Sequence, residues 1–107
     1  MSHIVVLMTT ATREEAEKIA RNLLNQKLIA CANIVGPVSS LFWWKEKISQ
    51  ENEFLVLMKT SADLFEKLAA TIKQMHSYEV PEIIAIPIAK GEQTYLEWLS
   101  SSLRQGV

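Results

Sequence analysis

Cysteine is nearly absent from this chain: Cys31 is the only one in 107 residues. An intramolecular disulfide is therefore excluded, and a reducing compartment is favoured. Glycine is scarce too, with three isolated residues at 36, 91 and 106, so no phosphate loop and no GxSxG elbow can be built. The histidines are His3 and His76 alone. There is no CxxC, HxH or HExxH pattern, and a serine or cysteine nucleophile has two candidate bases at most. Charge of one sign is missing as well. Eleven Lys and Arg face twelve Asp and Glu, a formal net charge of −1, and the basic residues are scattered singly. That excludes the basic stripe of a nucleic-acid surface. Long apolar runs are absent: "MSHIVVLMTT" holds five apolar residues in a row with no basic flank. This is too short for a signal peptide core or a membrane span, and the expectation is a soluble, cytoplasmic protein with no membrane or nucleic-acid partner.

What is present is ordinary globular material, 49% apolar and 21% charged. The length predicts one domain over residues 1–107, and a chain of this size buries about two-thirds of its unfolded surface. Residues 3–9 read as a strand rich in β-branched side chains. Thr12 followed by Glu15 is a capping-box signature, and Ala16, Ile19, Ala20, Leu23 and Leu24 form the helical stripe behind it. "LIACANIV" resumes a strand, Gly36-Pro37 marks a bulge or bend, and one long strand is expected over 29–48. Ser49 to Asn52 read as a turn before the strand "EFLVLMK". Thr60 or Ser61 caps a second helix with Leu64, Phe65, Leu68, Ile72 and Met75 inward. "VPEIIAIPIA" is a fourth strand, and a short helix carries Tyr95, Leu96, Leu99 and Leu103. The order β-α-β-β-α-β plus a terminal helix predicts the α+β, ferredoxin-like split βαβ fold, with one antiparallel sheet covered by helices on one face.

The stretch "SLFWWKEKI" spends three of the eight aromatic residues in succession. In a strand, Phe42 and Trp44 share one face while Trp43 and Lys45 share the other. Helices cover only one face of this sheet, so an open face carrying a Trp and a strand that outruns its partner predict self-association. Phe42, Trp43 and Trp44 are the expected subunit contacts.

One polar constellation stands out. "MHSYEVPEI", residues 75–83, places His76, Tyr78, Glu79 and Glu82 where a helix ends and a strand begins. On a structural reading, His76 complements the helix C-terminal dipole, Tyr78 closes the core edge and Pro81 fixes an extended entry. On a functional reading, the cleft holds a small ligand or a metal ion, and imidazole, thioether and carboxylate together suit copper. Cys31, in the apolar "IACAN" run, reads first as a structural thiol.

Several motifs taken together resemble one family. "KLIACANI", "FWWKEKI", the spacing Glu53 to Lys59-Thr60, "HSYEVPEI" and "YLEWL" are similar to the CutA1 divalent-cation tolerance proteins, in the same order and over nearly the whole chain. The resemblance implies a ferredoxin-like subunit, similar to PII signalling proteins, in a tight homotrimer whose long strands pair between subunits. Trp43 or Trp44 would then lie against a neighbour. It also implies tolerance to copper and other divalent metals, with a copper ion as the bound species, no organic cofactor and no catalysis. By position, Met8 lies where some relatives have cysteine, and Met75 and His76 lie where some have paired histidines. The expected metal donors are therefore His76, Met75, Met8 and Cys31, and the two thioethers favour Cu(I). Glu46 stands where a glycine is usual, Ser77 where a proline is usual and Phe42 where tyrosine is common. Glu46 suggests a different backbone conformation in the hairpin turn.

A rival expectation is a PII-like signalling module that binds a small anionic ligand between subunits, with Lys59, Tyr78 and Glu82 lining the cleft. A hydrolase using His76 with Glu79 is a third, opposed by the missing nucleophile and oxyanion loop. The imidazole of His76 is expected within reach of solvent.

Overall fold

The computed structural model describes residues 2–105. Strand β1 spans His3–Thr10, helix α1 Arg13–Asn25, β2 Cys31–Trp44, β3 Lys47–Ser61, α2 Phe65–Met75, β4 Ile84–Pro87 and α3 Gln93–Ser101, and a single 3-10 turn, Ala62–Leu64, leads into α2. The sheet runs β2-β3-β1-β4 with every neighbour antiparallel. This is the ferredoxin-like arrangement expected of the element order.

Each element has a local cause. Thr12, in an extended conformation, accepts the Glu15 amide at 3.1 Å and so starts α1. The reciprocal half of a capping box is not made, because the Glu15 carboxylate is spent elsewhere. Ala16, Ile19, Ala20 and Leu23 are buried from α1, whereas Leu24 lies outside the stripe and is exposed. Leu64, Leu68 and Ile72 come from the α2 region. They meet Ile4, Val6 and Met8 of β1 and Val56 and Met58 of β3, all on the helix-facing side of the sheet. Leu99 of α3 and Leu103 just beyond it complete the core. Glu92 caps α3 by accepting the amides of Thr94 and Tyr95.

The other face is uncovered. Directly opposed residues in an antiparallel ladder share a face, so the register sets out three rows there. Cys31, Lys59, Val5 and Ile86 form the first, Asn33, Leu57, Leu7 and Ile84 the second, and Val35, Leu55 and Thr9 the third. None of the eleven is fully buried.

Three expectations about the strands need correction. The long element is a hairpin of two strands, not one strand over 29–48. Its turn is Lys45-Glu46, and Ser49 to Asn52 lie inside β3. Both turn residues are left-handed, with φ of 51° and 65°. Glu46 thus adopts the left-handed conformation a glycine would favour there. The fourth strand keeps four residues, Ile84–Pro87, paired with Ile4–Leu7 of β1, and one further backbone bond joins the Ile88 amide to the His3 carbonyl at 3.0 Å.

β1 ends where Thr10 pairs with Phe54, yet β2 and β3 continue for seven more pairs, from Val38 with Glu53 to Trp44 with Lys47. Past a bulge between Val35 and Val38, containing a cis Gly36-Pro37 bond, the hairpin forms an arm about 20 Å long at ~3.4 Å per residue. The chain measures 44 Å in its longest direction.

Candidate functional site

The polar constellation after α2 folds into a hydrogen-bonded cluster at the base of that arm. The helix ends at Met75, and His76 turns extended, with φ −75° and ψ 141°. That turn sends its ring inward. The side chain is 0% exposed, so the expectation of a solvent-reachable imidazole is wrong. Nε2 lies 2.7 Å from the Thr9 carbonyl and Nδ1 accepts the Tyr78 amide at 3.0 Å. Those partners fix the tautomer: Nε2–H donates and Nδ1 accepts. Glu15 Oε2 stands 3.6 Å from Nδ1 and accepts the Ser77 amide at 2.7 Å, while Oε1 accepts the Ser77 hydroxyl at 3.0 Å.

Tyr78 completes the cluster. Its ring lies 4.7 Å from that of His76, and its hydroxyl donates to Glu53 Oε2 at 2.6 Å. Burial, and then the hydrogen bond to Glu53, push the Tyr78 phenol well above its usual range, so it remains a donor. Beside the cluster, Arg13 lies over the Phe54 ring at 4.9 Å and reaches the Gly36 carbonyl. Glu15 and Glu53 are the members that sequence reasoning missed. Glu15 read as a capping residue, and Glu53 only as the start of the strand "EFLVLMK" and one end of a family spacing.

The four expected metal donors do not converge. Met8 is fully buried on the helix-facing side of the sheet, and Cys31 lies on the opposite face, beside Lys59. Met75 packs against the core, and both nitrogens of His76 are engaged. Among the described residues no group of three His, Cys, Asp or Glu side chains is placed to hold a metal ion. The donors present in one chain do not fit a copper site. Cys31 and Met75 are the soft donors left partly accessible, with Tyr95 Oη 3.9 Å from the Cys31 sulfur.

The expected ligand residues also separate. Lys59 bonds Asn33 Oδ1 on the open face, whereas Tyr78 sits at Glu53, six strand residues or roughly 20 Å away. Glu82, four residues beyond Tyr78, is exposed and bonded to neither. The second histidine, His3, pairs its Nε2 with Ser100 Oγ at 2.8 Å, where α3 crosses the sheet end. No helix is long and apolar enough to cross a membrane among the described residues.

Residues 4–102 match the model of the family described as CutA1 divalent ion tolerance protein. The chain belongs to the CutA1 family. It is 43% identical over 95 residues to the divalent-cation tolerance protein CutA of Thermus thermophilus, covering 89% of this chain and 92% of that one. A chloroplastic CutA 1 of Oryza sativa subsp. japonica is 40% identical over 102 residues, covering 95% of this chain, which spans 58% of that protein's length. The crystal structure of CutA1 from Oryza sativa superposes with a TM-score of 0.96 at 39% identity, over 99% of this chain and 97% of that one. The CutA1 match thus spans the core strands, the arm and the cluster at its base.

Proposed function

We propose that this CutA1-family chain serves divalent-cation tolerance as a homotrimer that binds copper, turns over no substrate and carries no organic cofactor. The observation that carries the assembly is the arm. A two-stranded hairpin alone is marginal in water, and this one holds Trp43 at 72%, Leu41 at 67% and Ile48 at 65% exposure, with Phe42 and Trp44 beside them. A second chain laid along the arm and the open sheet face would bury them. With one accessible thiol per chain, a copper site would have to gather Cys31 and other donors from more than one subunit. The cytoplasm is the proposed location, since a lone thiol suits a reducing compartment.

Sedimentation at micromolar concentration tests the assembly, with an expected mass near three times the 12.1 kDa chain; a monomer would sink it. Copper titration by calorimetry tests the site. Binding that is lost in Cys31→Ser supports it, and equal binding by variant and wild type removes Cys31.

One observation favours the signalling-module reading. Lys59 is the only charged side chain among the eleven residues of the open face, as an anchor for an anionic ligand would be. Because Lys59 and Tyr78 are far apart in one chain, a cleft lined by Lys59, Tyr78 and Glu82 would have to draw on two subunits.

A further inference from the structure

Three serines in a row end α3, and their hydroxyls are spent differently. Ser101 and Ser102 Oγ both donate to the Trp98 carbonyl at 2.9 Å, the local bond that serine commonly makes within a helix. Ser100 Oγ instead meets Nε2 of His3, 97 positions away, at 2.8 Å. A hydroxyl within hydrogen-bond reach of an imidazole is the pairing that turns serine into a nucleophile. With its proton on Nδ1, the His3 ring accepts at Nε2 and the Ser100 hydroxyl donates. His76, by contrast, has both nitrogens committed to backbone groups. Ser100 and His3 are both half-buried, and both line one cavity of about 520 Å³, within the size range of small-molecule sites.

The surroundings select the kind of reagent. A second cavity of about 480 Å³ adjoins the first, since His3 and Leu96 line both, and Lys90 lines the second. One cleft thus presents a hydroxyl, an imidazole and an ammonium, and an ammonium recognises phosphate oxygens. Glu97 lines the first cavity, its carboxylate held by Gln93 Nε2 at 3.1 Å, and puts a negative charge in the same space as the imidazolium that base catalysis forms. We propose that Ser100, with His3 as general base, accepts the acyl group of a small acyl phosphate whose phosphate is held at Lys90. Ser100 Oγ forms a bond to the carbonyl carbon while its proton passes to His3 Nε2. The bond from that carbon to the bridging oxygen breaks, and phosphate leaves with the electron pair and takes the proton from His3. The products are an acyl-serine and inorganic phosphate. The serine ester has an alkoxide as its leaving group, far poorer than phosphate, so the ester persists and the modification is stoichiometric. It needs neither copper nor turnover, and so goes beyond the tolerance reading without opposing it.

The test treats the whole chain under native conditions with acetyl phosphate and maps the acetyl groups by peptide mass spectrometry. Neutral hydroxylamine releases esters and leaves acetyl-lysine amides, which separates the serine ester from background on lysines. The expected result is a single hydroxylamine-sensitive acetyl group at Ser100, with Ser101 and Ser102 unmodified, and none in Ser100→Ala. His3→Gln keeps a hydrogen-bonding partner for Ser100 but is no base, and should slow the reaction roughly 100-fold. Lys90→Met should raise the acetyl phosphate concentration needed for half-maximal rate. Thermal unfolding identifies any variant that has lost its fold, and the wild-type map decides without the variants. No ester at Ser100 in the wild type, equal labelling of the three serines, or an unchanged rate in folded His3→Gln overturns the site. An unchanged concentration dependence in folded Lys90→Met overturns the acyl phosphate as its donor.

Discussion

The Tyr78 hydroxyl and the Glu53 carboxylate, 2.6 Å apart, join the loop after α2 to the base of the projecting arm. Glu53 is a buried acid in this fold, and the phenol is what satisfies it. Tyr78→Phe should therefore destabilise the protein by about 1–3 kcal/mol, the usual penalty for an orphaned buried acceptor. Chemical denaturation of wild type and variant measures this.

The same bond gives a pH dependence with a definite sign. The folded protein holds the Tyr78 proton more tightly than the unfolded chain, whose phenol titrates near 10. The contribution is complete below that pH and is lost as pH rises toward the higher folded value, because the unfolded state gives up its proton first. Stability should thus fall on the alkaline side, and more shallowly in Tyr78→Phe. Equal alkaline limbs in denaturation series from pH 8 to 11 would refute this role.

His76 holds two backbone groups, the Thr9 carbonyl and the Tyr78 amide. Its replacement should act on folding and not on metal. His76→Ala is expected to cost roughly 2–4 kcal/mol, from two lost hydrogen bonds and a cavity, while copper affinity of the folded fraction stays that of wild type. Calorimetric titration beside thermal unfolding separates the two effects.

These side chains show how far the sequence could be read. Thr12 and Glu15 announced the start of α1 because capping is local, and the buried stripe of α1 followed from 3.6-residue periodicity. The turn at Lys45-Glu46 was hidden because neither residue is the Gly or Asn that marks a two-residue hairpin. Ser49 to Asn52 imitated a turn because an arm beyond the body of the sheet has no core to demand apolar residues. The Tyr78–Glu53 bond spans 25 positions and has no local signature. The inward turn of His76 depends on the backbone beyond the helix end, which composition does not set.

The turn itself offers a stabilising change. Glu46 at φ 65° bears a left-handed cost that glycine avoids. Glu46→Gly should raise stability by about 0.5–1 kcal/mol, the left-handed penalty less the extra entropy glycine loses. Thermal unfolding reads it, and no change or a loss would mean that the Glu46 side chain has compensating contacts in the assembly.

The arm aromatics provide the last expectation. Trp43 and Trp44 point to opposite faces of the hairpin. Trp43 is 72% exposed and sits opposite Ile48, whereas Trp44 is 42% exposed and has the Lys45 ammonium 6.0 Å from its ring. Trp43 has more surface left to bury, and it shares its face with the highly exposed Leu41 and Ile48, whereas Trp44 shares its face with the less exposed Phe42, so Trp43 should be the stronger anchor. Trp43→Ala is expected to weaken assembly by about 2–4 kcal/mol, the range of an aromatic hot spot, and Trp44→Ala by less. Neither ring is buried within the single chain, so secondary structure by circular dichroism should persist while the sedimenting mass falls on dilution. If unfolding is coupled to dissociation, the melting temperature of wild type rises with protein concentration, and in Trp43→Ala the whole curve shifts down. A larger effect from Trp44→Ala would place the subunit contact on the opposite face of the arm.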